Sequence, residues 1–168
     1  MSADAPPRLA APRYAPLVTQ PSLRIKKLSP RATTPRYQSD GAAGLDVSAC
    51  LPESTPSIVI EPGRIAIIPT GFAMAIPAGF EAQARPRSGL SSKHGICLPN
   101  APGTIDCDYR GEVLIPLINH SHEPFTVTHG MRIAQLVIAP VSHAIVSEVE
   151  DLDATGRGAG GFGSTGTH

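Results

Sequence analysis

Two aspartates and a tyrosine stand close together in the stretch GTIDCDYRGEV, which runs from Gly103 to Val113. Asp106 and Asp108 are separated by one residue, and Tyr109 follows at once. An ionised aspartate is a weak base, but at neutral pH it is fully available to orient a water molecule for attack. The same residues could instead mark a turn or bind a metal ion, and the stretch alone leaves these three interpretations open.

A second polar segment, RPRSGLSSKHGI at 85–96, could bind an anion. Ser88 and Gly95 are residues typical of the N-cap and of the C′ position of a helix, so the segment predicts a single helical turn near 88–94. The N-terminus of such a turn presents free backbone N–H groups, with Arg87 beside them. An ordinary polar loop is the alternative, and for this segment taken alone it is the favoured interpretation.

The stretch GRGAGGFGSTGTH at 156–168 is rich in glycine. It matches G-x-G-x-x-G at Gly156, Gly158 and Gly161, but a dinucleotide-binding fingerprint must join a strand to a helix, and neither is predicted here. A P-loop interpretation fails because the lysine is missing. The backbone amides of such glycines can wrap phosphate oxygens. The stretch therefore predicts a flexible arm that is either simply solvated or anion-binding.

The overall composition excludes some partners. Lys and Arg together number 14, as do Asp and Glu, so there is no positive excess to drive non-specific nucleic-acid binding. Tryptophan is absent, which argues against a platform for stacking bases. No apolar run approaches the length of a membrane span. We therefore expect neither a nucleic acid nor a membrane as a partner, and any nucleotide that binds is expected to be a small one.

Cysteine usage and the first residues of the chain bear on its location. Cys50, Cys97 and Cys107 are odd in number and lack C-x-x-C spacing, which is typical of reduced thiols in a cytoplasmic protein rather than of disulfides or a zinc site. The HSH pair at 120–122 has no third ligand nearby in the sequence, so we expect no metal role for it. Residues 1–21 lack the apolar centre of a secretory signal and predict a disordered leader, with a transit peptide as the alternative.

Short runs rich in Ile and Val alternate with Pro and Gly along the chain and predict an all-β fold, either a sandwich or a barrel. The EPGR sequence at 61–64 places Pro then Gly at the centre of a four-residue turn, the order that a type II turn favours. The predicted strands are 57–60, 64–69, 72–77, 113–118 and 132–140. We predict one β domain over 22–155, between the leader and the arm.

The order of these segments along the chain is more specific than any one of them. AAGLDVSA at 42–49, RPRSGLSSKHGI, LPNAPGTIDCDYRGEV at 98–113, HGMRIAQLVIAP at 129–140 and GRGAGGFGSTG at 156–166 resemble the five ordered motifs of the trimeric dUTP pyrophosphatases, the dUTPase family. The resemblance covers residues 22–166. It implies a jelly-roll-type β-barrel, a homotrimer with active sites shared between subunits, and hydrolysis of dUTP to dUMP and pyrophosphate with Mg²⁺.

The same resemblance implies roles for individual residues. Asp106 matches the aspartate that activates the attacking water, and Tyr109 matches the aromatic residue that leaves no room for a 2′-hydroxyl. Asp46 matches a polar residue that reaches the metal through water, while substrate phosphates hold most of the Mg²⁺ coordination sphere. The residues expected to bind substrate are Asn100 for uracil, Arg87, Ser88, Gly89 and Gln135 for the phosphates, Arg157, Ser164 and Thr165 in the arm for the phosphates, Phe162 over the uracil, and also Thr104 and Gly163.

Two alternative functions fit these residues less well, and Asp108 has no assigned role. A dCTP deaminase resembles the family in fold, but the position of its catalytic glutamate is Pro116 here, which cannot transfer a proton. A non-catalytic jelly-roll binding protein would need neither Asp106 nor a complete arm. Asp108 has no catalytic role in this scheme, so we expect it to act in a hairpin or a buried pair, with Arg132 as one candidate partner.

Overall fold

The computed structural model describes residues 20–161, in which ten β-strands and one α-helix are formed. In chain order the elements are β1 (Arg24–Lys27), β2 (Leu45–Ser48), β3 (Ser57–Ile60), β4 (Ile65–Ala75), β5 (Phe80–Pro86), α1 (Ser88–His94), β6 (Ile96–Cys97), β7 (Gly103–Ile105), β8 (Glu112–Asn119), β9 (Phe125–Thr128) and β10 (Arg132–Pro140). No helix in this range is long and apolar enough to cross a membrane. The predicted all-β class with one short helical segment is confirmed.

Three antiparallel sheets build the domain. The first has the strand order β1-β4-β8-β6, the second has the order β2-β10-β5-β7, and a ribbon pairs β3 with β9. One hydrophobic core takes side chains from all three, among them Phe72 of β4, Val47 of β2 and Ile60 of β3, each at most 1% exposed. Full burial of such a side chain contributes about 1.5–3 kcal/mol. The sheets therefore fold as one unit around a shared interior.

Three of the predicted strands are confirmed. The runs at 57–60 and 132–140 coincide with β3 and β10, and 113–118 lies within β8. The turn after β3 has the geometry of type II: Gly63 has a φ of 73°, and the N–H of Arg64 donates to the carbonyl three residues earlier at 3.0 Å. Local turn chemistry was therefore sufficient to predict this connection.

The predicted strands 64–69 and 72–77 are wrong as separate elements, because both lie largely within the single strand β4. The pairing of β4 with β8 shifts register between Pro69 and Ala73. Gly71 lies in this irregular stretch with a φ of 71°, a left-handed conformation that costs glycine little. The irregularity lets one strand continue through the residues that suggested a break.

The polar segment after β5 is a helix of seven residues. Gly95 ends it in the left-handed conformation, with a φ of 64° and its N–H donating to the Ser91 carbonyl at 3.1 Å, which confirms the predicted C′ glycine. The predicted N-cap at Ser88 is wrong: Arg87 holds that position with an extended backbone, and no side chain of the described residues caps the helix. The reason is that Arg87 alone separates the end of β5 at Pro86 from the first helical residue.

β5 was not predicted, although it pairs with β10 on one side and with β7 on the other. Its inward side chains are Ala82 and Ala84, at most 5% exposed, and they are too small to give an Ile/Val run. Its outward side chains form a hydrogen-bonded row: Gln83 Nε2 donates to Glu81 Oε1 at 2.7 Å, and Arg85 Nε donates to Gln83 Oε1 at 3.1 Å. The strand thus joins the two regions that carry the candidate site residues.

The final strand ends at Pro140. From 142 to 161 the described chain contains no further strand and is almost wholly exposed. Two of its apolar residues are almost fully exposed to solvent: Ile145 is 99% exposed and Leu152 is 85% exposed. This segment leads from the barrel to the glycine-rich arm.

Candidate active site

Asp106 and Tyr109 lie in the connection between β7 and β8. The N–H of Tyr109 donates to the carbonyl of Asp106 at 3.2 Å and closes a turn. Both side chains are exposed at a cleft of about 210 Å³, here named the aspartate cleft. It is lined by Thr104, Ile105, Asp106, Tyr109, Glu112, Val113 and Leu114. The structure therefore brings together the predicted base, the predicted sugar-contacting ring and Thr104.

The stretch that leads to this cleft is not a β-hairpin. β6 pairs with β8 in the first sheet, whereas β7 pairs with β5 in the second. The chain between β6 and β7 therefore crosses from one sheet to the other. Asn100 lies exposed on this crossing. A Cβ atom on Gly103 would lie 3.0 Å from Asn100 Nδ2, so the amide packs against the first residue of β7. Asn100 is thus beside the aspartate cleft but does not line it.

The ring of Tyr109 is held by residues that follow it directly. Its hydroxyl donates to the carbonyl of Glu112 at 3.0 Å, although the residue as a whole remains 45% exposed. A Cβ atom on Gly111 would lie 2.6 Å from Tyr109 Cζ, which is closer than real Cβ contacts come, and 3.1 Å from Cε2. Only glycine therefore allows the ring to lie where it does. Gly111 was not among the predicted residues, although the Tyr-x-Gly spacing at 109–111 was an available signal.

Glu112 ties the same cleft to the first sheet. Its Oε1 accepts a hydrogen bond from the N–H of Gly71 at 2.7 Å, across a sequence separation of 41 residues. Since Gly71 lies in the irregular part of β4, its N–H is available to a side chain rather than to a strand partner. Glu112 thereby fixes the start of β8. Its own backbone carbonyl accepts the hydrogen bond from the Tyr109 hydroxyl. The sequence carried no signal for this contact.

The predicted buried pair between Asp108 and Arg132 is wrong. Asp108 is exposed, and the Nη1 of Arg132 donates instead to Asp46 Oδ2 at 2.9 Å. The physical reason is strand pairing: Arg132 begins β10, which pairs with β2, and β2 carries Asp46. Asp108 belongs to the connection on the far side of the same sheet, beyond β5 and β7.

A second group of predicted residues meets where β2 and β10 lie beside the start of α1. Asp46 accepts from two arginines at once, with Arg87 Nε 3.2 Å from Oδ1 and Arg132 Nη1 2.9 Å from Oδ2. The Asp46 side chain is only 13% exposed, so solvent screens these contacts weakly. These residues border a cleft of about 400 Å³, here named the arginine cleft. It is lined by Gln38, Ala42, Ala43, Gly44, Asp46, Arg87, Ser88, Gly89, Arg132 and Gln135.

Gln135 enters the arginine cleft from β10. Its Nε2 donates to the carbonyl of Pro86 at 2.9 Å, which anchors the amide beside the start of the helix. A Cβ atom on Gly44 would lie 3.1 Å from the Cβ of Gln135 and 3.2 Å from its Cδ, so the glycine leaves room for this side chain. The predicted phosphate-binding residues Arg87, Ser88, Gly89 and Gln135 therefore share one cleft.

The remaining predicted residues lie apart. In the described chain the aspartate cleft and the arginine cleft share no lining residue. Arg157 is exposed in the tail, where its Nε donates to the carbonyl of Gly160 at 2.8 Å. Phe162, Gly163, Ser164 and Thr165 lie outside the described residues. Within residues 20–161, no three side chains of His, Cys, Asp or Glu are grouped closely enough to hold a metal ion.

Arginine is well suited to binding phosphate, so the arginine cleft of this all-β domain could hold a phosphorylated ligand. A sequence profile of the dUTPase family matches residues 30–166. The chain belongs to the dUTPase family, whose fold is an all-β jelly-roll type.

Individual relatives agree with this assignment. The chain is 52% identical over 150 residues to the deoxyuridine 5′-triphosphate nucleotidohydrolase of Rhizobium rhizogenes, covering 88% of this chain and 96% of that protein. It is 60% identical over 132 residues to the protein of that name from Desulfotalea psychrophila, covering 79% and 86%.

Solved structures show the same fold. The dUTPase of Staphylococcus bacteriophage 80alpha with dUpNHpp superposes with a TM-score of 0.73 at 29% identity, covering 87% of this chain and 99% of that one. A mutant dUTPase from phage phi11 of S. aureus, described as coordinating a structural Mg(II) ion, gives a TM-score of 0.70 at 25% identity, covering 79% and 99%.

Proposed function

We propose that this chain hydrolyses dUTP to dUMP and pyrophosphate, which removes dUTP from the nucleotide pool and supplies the precursor of dTMP. The observation that carries the proposal is the aspartate cleft, where a free carboxylate and an aromatic ring stand side by side in a chain of the dUTPase family. The test is incubation of the pure protein with dUTP, dCTP, dTTP and UTP, with and without Mg²⁺. Release of pyrophosphate from dUTP alone is expected, and deamination of dCTP would contradict the proposal.

Asp106 acts as the general base in this proposal. Its carboxylate accepts a proton from a water molecule while the water oxygen attacks the α-phosphorus, and pyrophosphate leaves as the bond to the β-phosphate breaks. The exposed position of Asp106 leaves room for both the water and the substrate.

Tyr109 lies under the deoxyribose, and Asn100 on the crossing and Thr104 of β7 contact the nucleoside. The ring of Tyr109 cannot retreat easily, because its hydroxyl donates a hydrogen bond to the Glu112 carbonyl and its outer end lies close to Gly111. A rigid ring at this position excludes a 2′-hydroxyl by steric contact. Discrimination between dUTP and UTP thus follows from how firmly the ring is held.

The arginine cleft receives the phosphates. The Nε and one Nη1 hydrogen of Arg87 are engaged with Asp46 and with the Arg132 carbonyl at 3.1 Å. A guanidinium has five N–H donors, so three remain to face phosphate oxygens. Ser88, Gly89 and Gln135 line the same cleft and add neutral donors. Triphosphate hydrolysis depends mainly on positioning and charge neutralisation, which such a cleft supplies.

Mg²⁺ is the cation that would complete this charge neutralisation. The described residues offer no cluster of three potential ligands, and Mg²⁺ in nucleotide sites is commonly held by one or two carboxylates, waters and substrate phosphates. The donor set thus fits a phosphate-bound ion better than a protein cage. Asp46 would reach it through water, because an arginine already contacts each of its oxygens. A bound Mg²⁺ would screen the phosphate charge during attack.

We propose a homotrimer with active sites shared between subunits. One observation that supports it is the separation of the aspartate and arginine clefts within one chain. Another is an apolar face on the first sheet, where Ile65, Ile67 and Leu114 are 56%, 62% and 47% exposed. A contiguous apolar face of this kind is typical of a protein–protein interface. The exposed apolar residues between 142 and 155 suit the same explanation.

In such a trimer the arm of one subunit would close over a site whose base comes from another. Arg157, Ser164 and Thr165 would then contact the phosphates, and Phe162 would cover the uracil. Ordering a glycine-rich arm is entropically costly, so closure is expected only when the triphosphate and Mg²⁺ are present. We place the protein in the cytoplasm, and its free thiols Cys50, Cys97 and Cys107 are the supporting observation.

A further inference from the structure

Arg132 lines the arginine cleft, although it was not among the residues expected to bind substrate. The pairing of β10 with β2 shifts register between Arg132 and Ala134. Ile133 and Ala134 are 1% and 0% exposed, whereas neighbouring residues on a regular strand face opposite sides. The irregularity buries both of them and turns Arg132 to the face that carries Asp46.

Three contacts join Arg132, Asp46 and Arg87 into a closed set. The two arginines take one carboxylate oxygen each, at 2.9 Å and 3.2 Å. The third contact runs from Arg87 Nη1 to the backbone carbonyl of Arg132 at 3.1 Å. Arg87 is therefore held on two sides of its guanidinium, by Asp46 at Nε and by the β10 backbone at Nη1.

We propose that Arg132 is a positioning residue that keeps the Arg87 guanidinium oriented for phosphate. By occupying Oδ2 of Asp46, Arg132 prevents Arg87 from taking both oxygens in the parallel, two-bond geometry that arginine and carboxylate prefer. Without Arg132, Arg87 turns toward Asp46 and presents fewer donors to the substrate. The inference rests on the proposed phosphate role of Arg87.

The test measures the dissociation constant of dUpNHpp in the presence of Mg²⁺ by titration calorimetry on the full-length protein. Arg132→Ala is expected to weaken binding about tenfold, because a hydrogen bond to a charged group is worth about that factor or more. Arg132→Lys keeps a positive charge at Oδ2 and is expected to stay within about threefold of the unmodified protein. Arg64→Ala, at an exposed arginine outside both clefts, controls for the loss of one charge.

A double-mutant cycle separates positioning from other roles. If Arg132 acts through Arg87, adding Arg132→Ala to Arg87→Ala weakens binding no further. Additive losses, or equal losses in Arg132→Ala and Arg64→Ala, would overturn the inference, as would a loss that Arg132→Lys fails to restore. If Arg87 does not bind phosphate, the result is different: Arg87→Ala alone leaves the dissociation constant unchanged. That result would contradict both the phosphate role of Arg87 and the positioning role of Arg132.

Discussion

The aspartate cleft and the arginine cleft are built in opposite ways. Tyr109 contacts the Asp106 and Glu112 carbonyls, each three residues away, so the first cleft is shaped largely within one short stretch. In the second cleft Arg87 and Arg132 reach Asp46 across 41 and 86 residues. The first cleft is held by close packing and backbone acceptors, whereas the second is held by ion pairs between strands. Damage to the first should therefore alter chemistry and sugar choice, and damage to the second should alter phosphate affinity.

The largest expected effect comes from replacing Asp106, the proposed general base in the aspartate cleft. Asp106→Asn keeps the shape of the side chain but cannot accept the proton of the attacking water. We expect kcat to fall roughly 10²–10⁴-fold, the usual cost of losing general-base help. The dissociation constant of dUpNHpp should stay within about twofold, since in our proposal the arginine cleft supplies the phosphate affinity. A variant that retained more than about a tenth of the turnover would rule out Asp106 as the base.

The next effect concerns which chain completes the site. Truncation after Thr155 removes the arm and should leave a trimer that binds dUTP but hydrolyses it poorly. The truncated protein is then unfolded and refolded together with full-length Asp106→Ala. If base and arm come from different subunits, equal amounts should give activity at roughly a quarter of all sites. Verified mixed trimers with no more activity than the summed parents would show that the arm acts on its own subunit.

A smaller effect is expected where the tyrosine ring lies against glycine. Gly111→Ala places a methyl group 2.6 Å from Tyr109 Cζ and should displace the ring. We expect the ratio of kcat/KM for dUTP over UTP to fall about tenfold, because steric exclusion depends on ring position. Gly41→Ala is the matched control, since its Cβ would meet nothing within 4 Å. Equal ratios in the two variants would show that the ring does not select the sugar.

The smallest effect tests a distant contact of the aspartate cleft, the one from Glu112 to Gly71. Glu112→Ala leaves the Gly71 N–H without its acceptor and should lower the free energy of unfolding by about 1–3 kcal/mol. Glu112→Gln keeps an amide oxygen as acceptor and should cost less than half as much. Urea unfolding at one fixed protein concentration measures both, because assembly makes stability depend on concentration. Equal losses in the two variants would mean that the hydrogen bond is not what stabilises the start of β8.

Local sequence patterns predicted much of the fold. Each element that they failed to predict has its own physical reason. The Ile/Val runs predicted β3 and β10, and Gly63 and Gly95 predicted a turn and a helix end, because each depends on a few neighbouring residues. β5 was missed because its buried face is made of alanine. The apparent break within β4 is closed by an irregular register with β8, which only the partner strand can define.

The sequence by itself determined the family through five ordered motifs. It also determined that Asp106 and Tyr109 lie close together, since both belong to one turn. Only the tertiary structure decided that Arg132 joins Asp46 rather than Asp108, that Gly111 makes room for the Tyr109 ring, and that Glu112 reaches Gly71. Contacts across 41 or 86 residues depend on the register of β10 against β2 and on the irregular stretch of β4. Register is set by how whole strands bury their apolar faces together, so no short stretch of sequence contains it.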